Sequence, residues 1–403
     1  MPTGPTDTKC VALLIESSRA YGRGLLRGIA AYAQEQGDWS LRHQEMTINA
    51  DPPSWLSRWK GHGVLVRAET PKMIEAIQDL GLPVIDLRCW RSAGKIPGFD
   101  TEPASVVKLA VDHLRDRGYT QFGFCGFGGA NYSDRRLAEM RKYLRSLGHD
   151  VVAYESPGPV HATTFDAEQS GMLDEDGLGR WLKSLAKPVG VLACNDIRAQ
   201  QLLNACHECN IHVPDEIAVV GVDNDDVICP LCSPPLTSVE PNTEKIGYEA
   251  AAMLDLMMAG ESVPAELTWV PARRIVVRGS TDAIPVDDAE FTKAYRFIRE
   301  NACRGVSVQD VADAVPMSRR SLERRMRTYL DQSPSDLIAS IRLARIKELL
   351  ETTSQPLKKI ARLTGFNYDE HMAKFFKKLT GVPPGHYRRK HRLESIAGDD
   401  LKP

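Results

Sequence analysis

The chain has 403 residues, of which 42% are hydrophobic and 26% are charged, so its composition is that of a globular protein with two or three domains. No apolar run reaches the length of about 18 residues that a transmembrane helix needs. The apolar stretch 11–15 is short and is followed by Glu16, which argues against a signal peptide. Nine cysteines are scattered along the chain, a usage typical of reduced thiols in the cytoplasm rather than of a disulfide framework.

The net charge of −2 conceals an uneven distribution. Between Ser318 and Arg392 there are 18 Lys and Arg against 7 Asp and Glu, a balance of +11, so the rest of the chain carries −13. A basic C-terminal part joined to an acidic body favours an anion-binding module. Charge alone does not distinguish such a module from a basic face that is simply exposed to solvent.

From residue 9 to about residue 277, short β-rich runs alternate with amphipathic stretches. In chain order the pattern predicts strands at 11–15, 63–67, 83–87, 121–125, 151–154, 189–193 and 217–222. Helices are predicted at 24–36, 71–80, 104–117, 137–147, 196–209 and 244–258. This alternation indicates an α/β domain with parallel sheets and helices on both faces. This number of strands is large for one lobe, so we predict two.

The expected domain limits follow from these patterns. The two-lobed ligand-sensing domain spans 9–277, with lobe 1 at about 9–101 and 243–268 and lobe 2 at about 102–240 and 270–277. Residues 278–288 are rich in Gly, Ser, Thr, Asp and Pro and are predicted to form a linker. Residues 289–392 have an almost entirely helical pattern, and 393–403 form a tail.

Polar pairs follow two of the predicted strands directly: Asn195-Asp196 after 189–193 and Asp223-Asn224 after 217–222. Parallel sheets bind ligands outside the carboxyl ends of their strands, and Asp and Asn offer the acceptors and donors that suit sugar hydroxyls. Structural roles are open as well, since Asp196 is also placed to cap the helix that it precedes. The segments 191–199 and 213–225 resemble the effector domain of LacI/GalR regulators, which implies a fold similar to periplasmic sugar-binding proteins.

After residue 289, helical spacing defines a first unit. Apolar residues mark a helix from 308 to 315, a break follows at 316–317, and Ser318 is a good N-cap for a second helix. A helix of this kind can lie in a major groove, where Arg reads guanine and Glu accepts from cytosine. Its polar face carries Arg319, Arg320, Glu323, Arg324 and Arg327.

A similar unit returns about 50 residues later. A first helix around 357–361 is followed by a turn at Gly365-Phe366 and a second helix at 368–379. We expect that helix to bury Met372, Phe375, Phe376 and Leu379. Its outward face holds Asp369, Glu370, His371, Lys374 and Lys377. A long helix at 337–350 is suited to fixing two recognition helices about 34 Å apart, the spacing of successive major grooves.

These two units resemble AraC/XylS-type regulators. The motif residues are Val311-Ala312, Met317-Ser318, 322–324, Ile360-Ala361, Gly365-Phe366, 375–378, Gly381, Pro383 and Tyr387-Arg388. The resemblance covers 289–392 and implies base contacts from Arg320, Glu323, Arg324, Asp369, Glu370 and Lys374. Pro316 stands where the family usually has Gly, and because Pro cannot adopt a positive φ, we expect a different first turn. Asp369 and Glu370 stand where the family often has Gln, so we expect cytosine contacts or weaker binding there.

The domain order resembles that of xylose operon regulators, in which a LacI-like sensor precedes an AraC-like tail, and this resemblance runs nearly the full length. By position it implies that residues after the first strand lie near the cleft: Ser17, Ser18, Tyr21 and Arg23. Arg67 ends another strand, and Asn131, Arg135 and Arg136 begin a helix after a third. Trp90 is suited to stack on a pyranose ring, with rim packing or a dimer contact as the alternatives.

Two other signals are set aside. Cys206, Cys209, Cys229 and Cys232 have zinc-like spacing, but the implied sheet separates the two pairs by roughly 15–20 Å. Residues 126–129 are glycine-rich without a dinucleotide fingerprint. We therefore expect no metal, no cofactor and no catalytic residues.

The sequence thus predicts a sugar-responsive transcription regulator that is not an enzyme. Its expected partners are double-stranded promoter DNA, a pentose or related sugar and a second copy of the chain, without a membrane. Two alternatives remain at this point: a sugar-modifying enzyme with a DNA-binding tail, and a binding or scaffold protein whose basic tail meets RNA.

Overall fold

A computed structural model describes residues 8–88, 96–156, 164–282 and 288–389. The chain divides into two units, Met1–Pro285 and Val286–Pro403, and each is described by itself. None of the helices in the described ranges combines the length and the apolar character that a membrane span needs.

Lobe 1 of the first unit is built on a six-stranded sheet. Its strands are β1 (Lys9–Leu14), β2 (Trp39–His43), β3 (Gly63–Val66), β4 (Val84–Asp86), β5 (Gly98–Thr101) and β11 (Leu267–Val270). They lie in the order β11-β5-β4-β3-β1-β2, and the pairings are parallel. The apolar run Val64–Val66 is fully buried, as expected for a parallel strand covered on both faces.

Lobe 2 repeats this plan. Its strands are β6 (Phe122–Phe127), β7 (Val151–Ser156), β8 (Val189–Ala193), β9 (Ile217–Val222), β10 (Thr237–Glu240) and β12 (Arg274–Val276). They lie in the order β12-β10-β9-β8-β6-β7, and only the edge strand β12 runs antiparallel to its neighbour. The carboxyl ends of β6, β8 and β9 therefore meet at one edge of this sheet.

Helices cover both sheets. Lobe 1 carries α1 (Ala20–Gln36), α2 (Pro71–Gln78) and α9 (Thr243–Met258). Lobe 2 carries α3 (Pro103–Asp116), α4 (Asn131–Ser146), α5 (Thr164–Met172), α6 (Glu175–Ser184), α7 (Asp196–Glu208) and α8 (Ile228–Leu231). Helices α1 and α9 touch backbone to backbone, since a Cβ on Gly28 would lie 1.9 Å from the carbonyl oxygen of Glu244. This contact fixes the start of α1 beside the cleft.

Three chain segments cross between the lobes. They follow β5, β10 and β11, and they are joined to one another. The Glu102 N–H donates to the Val270 carbonyl at 2.9 Å, and the Arg273 N–H donates to the Glu240 carbonyl at 2.9 Å. The Ser105 hydroxyl oxygen accepts from the Ala272 N–H at 2.8 Å. These bonds form the hinge on which the two lobes meet.

The second unit is helical. It contains α10 (Ala289–Asn301), α11 (Val308–Ala314), α12 (Arg319–Leu330), α13 (Pro334–Thr352), α14 (Leu357–Leu363) and α15 (Asp369–Thr380). Helices α11 and α13 begin with reciprocal capping boxes, Ser307 with Asp310 and Ser333 with Asp336, which satisfy the backbone N–H groups at a helix start. Helix α13 contributes Ile346 and Leu350 to a core shared with α14 and α15.

The predicted fold class is confirmed: two lobes with parallel-dominated sheets precede a helical domain. Strands β2, β5, β10, β11 and β12 were not individually predicted. Helices α1 and α4 start earlier than expected, at Ala20 and Asn131. The predicted linker begins too early, because Ser280 and Thr281 are fully buried and bonded to the second sheet. Its residues 283–287 and the tail 393–403 lie outside the described residues.

Two details of the helical unit also bear on the sequence expectations. The first turn is formed by Val315 in extended backbone, with the Met317 N–H donating to the Val315 carbonyl at 2.7 Å, whereas the second turn uses Gly365 at φ +81°. The two turns therefore differ, as Pro316 predicts. The expectation that Leu379 is buried is wrong, since it is 48% exposed on the outer face of α15.

Candidate functional site

A polar cleft lies between the two lobes of the first unit. It encloses about 560 Å³, including its open mouth. The lining is formed by Arg19, Tyr21, Arg67, Arg88, Asp100, Asn131, Tyr132, Arg136, Asn195 and Asp223. Six of these residues were predicted from the sequence: Tyr21, Arg67, Asn131, Arg136, Asn195 and Asp223.

The lobe 1 wall is held by Tyr21 at the start of α1. Its hydroxyl donates to Asp100 Oδ1 at 3.1 Å and contacts Thr101 Oγ1 at 2.9 Å. The guanidinium of Arg67 lies 4.8 Å from the centre of the Tyr21 ring and pairs with the buried Glu16. The Arg67 Nε–H is buried without a hydrogen-bond partner in the described residues, so the wall holds an unused donor.

The lobe 2 wall is formed where β6, β8 and β9 end. Asn195 caps α7 by accepting from the Arg198 N–H at 2.9 Å, and its amide donates to the Tyr132 hydroxyl at 3.0 Å. Arg136 donates to the Cys194 carbonyl and lies over the Tyr132 ring. Each side chain is thereby fixed before a ligand arrives.

Asp223 is the unusual member of this wall. Its backbone has φ +112° and that of Asn224 has φ +48°, conformations that non-glycine residues rarely adopt. No hydrogen bond from any residue of the described ranges reaches the Asp223 carboxylate. Burial raises its pKa to about 6, although Arg136, Arg19 and Arg67 act in the opposite direction. The cleft therefore contains an acceptor that the described residues leave unused.

Charged side chains bridge the two lobes. Arg19, after β1, forms a two-point ion pair with Glu168 of α5, with Nη1 2.9 Å from Oε1. Glu168 is 1% exposed and also accepts from the Tyr132 hydroxyl at 2.8 Å. Arg23 reaches Asp225 at 3.3 Å and Asp226 at 3.1 Å. These pairs hold the cleft closed around its lining.

Several predicted ligand residues do not line the cleft. The Ser17 backbone N–H and hydroxyl donate to Glu45, and the Ser18 carbonyl accepts from Arg23 at 3.0 Å. Arg135 lies at the edge, 3.5 Å from Asp100. Arg23 and Asn224 face a separate depression on the hinge side, which shares Asp223 with the cleft. Trp90 lies outside the described residues.

Asp196 lies behind the cleft wall. Its carboxylate accepts from the Asp225 N–H at 2.7 Å, the Ser238 hydroxyl at 2.6 Å and the Cys229 thiol at 3.3 Å. Burial and the nearby Asp223 raise its pKa to about 7. Asp196 therefore supports the loop that carries Asp223, and the helix cap considered for it belongs to Asn195.

The sequence did not point to four lining residues: Arg19, Arg88, Asp100 and Tyr132. Arg19 and Tyr132 are direct neighbours of predicted residues, so the predicted segments reach the cleft but these two side chains were missed. Asp100 lies in the short strand β5, which shows no periodic pattern. Arg88 follows β4 and pairs with the buried Glu69, a contact that no local sequence signal reveals.

The helical unit presents a basic helix face. On α12, Arg319, Arg320, Arg324 and Arg327 are exposed and Glu323 is half-buried, while Leu322 and Met326 are fully buried beneath them. Arg319 Nε pairs with Glu323 at 3.0 Å. Arg325 points elsewhere, pairing with Asp288 at 2.6 Å and Glu290 at 3.2 Å. The first helix therefore presents a basic face on which Arg320 and Arg324 form no ion pair with any of the described residues.

The second candidate recognition helix, α15, carries both signs of charge. Its exposed residues are Glu370, His371, Lys374, Lys377 and Lys378, and Asp369 is half-buried. Met372 and Phe376 anchor its inner face. Two carboxylates in the first turn suit the positive end of the helix dipole but repel phosphate. The two helices therefore differ in charge although they belong to similar units.

The zinc-like cysteine pairs lie at opposite ends of α7. Cys229 contacts Asp196, the first residue of that helix, whereas Cys206 and Cys209 lie at its end. At about 1.5 Å per residue, ten residues of helix separate the pairs by about 15 Å. Burial raises the pKa of the Cys206 thiol to about 12, which disfavours the thiolate that a metal ligand requires.

Two protein-family models match the chain. A periplasmic binding protein-like domain matches residues 111–281, and a helix-turn-helix domain matches residues 311–390. The solved structure of the xylose-binding transcription activator xylR is similar over 95% of this chain and 99% of that chain, with a TM-score of 0.77 and 26% sequence identity.

Curated relatives cover nearly the whole chain. The xylose operon regulatory protein of Haemophilus influenzae is 30% identical over 387 residues, which are 94% of this chain and 97% of that protein. That of Escherichia coli K12 is 28% identical over 385 residues, covering 94% and 96%. These relatives regulate transcription and are not enzymes. The chain belongs to the family of xylose operon regulatory proteins, AraC-type regulators of transcription that respond to a sugar through a periplasmic-binding-protein-like domain.

Proposed function

We propose that the effector of this regulator is a pentose, with D-xylose as the first candidate, bound in the cleft between the lobes. The observation that carries this proposal is the unused Asp223 carboxylate in a cleft whose other lining residues are polar and come from both lobes. A sugar hydroxyl can donate to that carboxylate. The names of the relatives favour xylose among the pentoses.

The lining residues have distinct roles in this proposal. Asp223 and Arg136 hold one side of the sugar from lobe 2, while Arg67 and Tyr21 hold the other from lobe 1. Further polar contacts come from Asn131 and Asn195. Arg135, Arg23, Ser17, Ser18, Asp196 and Asn224 act indirectly, by fixing neighbouring segments. Because both lobes contribute, the sugar favours the closed form to the extent that it binds that form more tightly.

Isothermal calorimetry with the full chain tests the effector. D-xylose, L-arabinose, D-ribose, D-glucose and their phosphates are titrated in parallel, and we expect the pentoses to bind more tightly than the others. Asp223→Ala removes the unused acceptor and is expected to weaken binding at least ten-fold, corresponding to about 1.4 kcal/mol. Asp79→Asn, on the exposed end of α2, is the matched control. A hexose phosphate binding best, or an Asp223→Ala protein binding like the parent, contradicts the proposal.

We further propose that the chain acts in the cytoplasm as a homodimer on promoter DNA. Its α12 residues Arg319, Arg320, Glu323, Arg324 and Arg327 read one half-site, and its α15 residues Asp369, Glu370, His371, Lys374 and Lys377 read the other. The support is the exposure of most of these side chains above a buried apolar face and the match to a helix-turn-helix family. Light scattering gives the oligomeric state, and a monomer at micromolar concentration contradicts the dimer.

A further inference from the structure

A half-buried arginine connects the two helix-turn-helix units. Arg342 lies in the middle of α13, the long helix between them. Its Nε–H donates to the Ala302 carbonyl at 2.7 Å, and its Nη2 donates to the Val306 carbonyl at 3.0 Å. The same guanidinium lies 5.4 Å from the centre of the Phe366 ring, in the turn of the second unit. One side chain thus contacts the segment that leads into the first unit and the turn of the second.

The backbones of the two units also meet directly at this point. Gly305, which precedes α11, has φ +90°, and Gly365, which follows α14, has φ +81°. A Cβ added to Gly365 would lie 2.7 Å from the Gly305 nitrogen and 3.2 Å from the Ala302 carbonyl oxygen. No side chain fits between these segments, so a change in the angle between the units must break this contact.

The chemistry of the contact requires arginine. The Ala302 carbonyl directly follows the end of α10, where helix carbonyls lack partners and the helix dipole is negative, whereas the Val306 carbonyl lies in the segment just before α11. A guanidinium is planar, so it can donate to two carbonyls at its edge and present its face to an aromatic ring. Burial lowers the pKa of Arg342. Lysine carries its three donors on a single nitrogen and has no flat face, so it cannot bond the two carbonyls from separate nitrogens while it stacks on the ring.

We propose that Arg342 is a positioning residue that sets the distance and angle between the recognition helices α12 and α15. It acts through α13 and the Gly305–Gly365 contact. This assignment rests on the proposed reading of two half-sites by these helices. When the two units have a fixed orientation, binding of one helix to its half-site presents the second helix at a high effective concentration to the other half-site. A less rigid connection lowers that effective concentration without changing either helix.

The test compares intact and half-site DNA with full-length protein. The probe is a duplex selected by the parent protein from a randomised library, together with versions in which one half-site is scrambled or the spacer is lengthened by one to three base pairs. We expect Arg342→Met to weaken binding to the intact duplex about ten-fold, to leave binding to the scrambled duplex unchanged, and to flatten the dependence on spacer length. Arg345→Met is the matched control, since Arg345 forms an exposed pair with Glu348 on the same helix.

The outcomes separate the two claims. Equal weakening on intact and scrambled duplexes, or unchanged spacer preference, overturns the role of Arg342 alone. A parent protein that binds both duplexes equally overturns the reading of two half-sites and the role of Arg342 with it. If circular dichroism shows that the Arg342→Met protein does not fold, the spacer preference of the Arg342→Lys protein is measured instead. A lysine variant with the parental spacer preference overturns the assignment, and one with a flattened preference supports it.

Discussion

Asn224 Oδ1 accepts a hydrogen bond from Arg278 Nη2 at 2.8 Å. Asn224 follows Asp223 of the cleft, and Arg278 follows β12, the last strand of the first unit. Arg278 also donates to the Leu236 carbonyl at 2.8 Å. In the proposed function, a shift of the Asp223 loop on sugar binding would act directly on the segment that Arg278 begins. The positive φ values of Asp223 and Asn224 give this loop stored strain that a ligand can exploit.

The first prediction separates sugar binding from the response to sugar. Arg278→Met keeps the length of the side chain and removes its donors, so we expect sugar affinity within about two-fold of the parent and a smaller effect of sugar on DNA affinity. Coupling between two sites is typically about 5–150-fold in affinity, and the variant should lose most of it. The measurement is the ratio of DNA dissociation constants with and without sugar.

Arg274→Met serves as the control for Arg278→Met. Arg274 lies on β12, four residues before Arg278, and pairs at the surface with Glu240, so its variant should keep the parental ratio. If the Arg278→Met protein shows the parental ratio too, the bond between Asn224 and Arg278 carries no part of the response.

The second prediction concerns pH. The pKa of Asp223 is raised to about 6 by burial, and a sugar hydroxyl donates a much stronger hydrogen bond to the ionised carboxylate than to the neutral acid. Affinity should therefore fall as pH drops below 6, and be about ten-fold weaker at pH 5 than at pH 7.5. The free energy of unfolding of the sugar-free protein depends on pH in the opposite direction. The stability that the raised pKa of Asp223 contributes is fully present below about pH 4, the ordinary pKa of the group, and it is lost as the pH rises through 6.

Calorimetry with D-xylose from pH 5 to 8 measures this dependence. Asp223→Asn should bind more weakly throughout and show a flat profile over the same range. A flat profile in the parent protein would show that the sugar does not bind the Asp223 carboxylate.

The third prediction concerns the bridge across the cleft. Glu168→Gln removes the charge that pairs with Arg19 and leaves Arg19 without its partner. Because hydrogen bonds to charged groups contribute about 1.5–3 kcal/mol, we expect sugar affinity to fall about 10- to 100-fold. Calorimetry measures the change, and Glu75→Gln on the exposed face of α2 is the control. Parental affinity in the Glu168→Gln protein would mean that the bridge does not contribute to the sugar-bound form.

The fourth prediction concerns base reading. Arg320→Ala and Arg324→Ala should each cost about 1–3 kcal/mol on the selected duplex and relax the preference at one or two positions of one half-site. Lys293→Ala, on the exposed face of α10, should leave the preference unchanged. Repeating the selection with each variant measures the preference, and identical selected sequences would show that these arginines do not contact bases.

The sequence predicted those parts of the site that follow directly from local pattern. Asn195 and Asp223 were found because each follows a buried strand of β-branched residues, and strand ends of a parallel sheet share one edge. The outward arginines of α12 were found because Leu322 and Met326 fix the inner face of the helix. In both cases the residues that set the geometry lie within a few positions of the functional side chain.

Contacts between distant segments could not be predicted in this way. Glu168 pairs with Arg19, which lies 149 positions away, and nothing in the composition of α5 marks that glutamate as a partner. Asp100 belongs to a four-residue strand whose place in the sheet depends on its neighbours, β4 and β11. The predicted start of the linker was wrong for a similar reason. Ser280 and Thr281 have the composition of linker residues, but they are buried and form hydrogen bonds with Thr237.

The central claim is that this chain is a DNA-binding regulator whose affinity for DNA depends on a sugar. A mobility shift with the selected duplex, at about 50 and 200 mM salt and with or without saturating D-xylose, tests it most directly. We predict a dissociation constant below about 1 µM at the lower salt, strong weakening at the higher salt, and a change of at least about five-fold on adding the sugar. Absence of binding at the lower salt, equal competition by RNA, or the same dissociation constant with and without every sugar of the panel would contradict it.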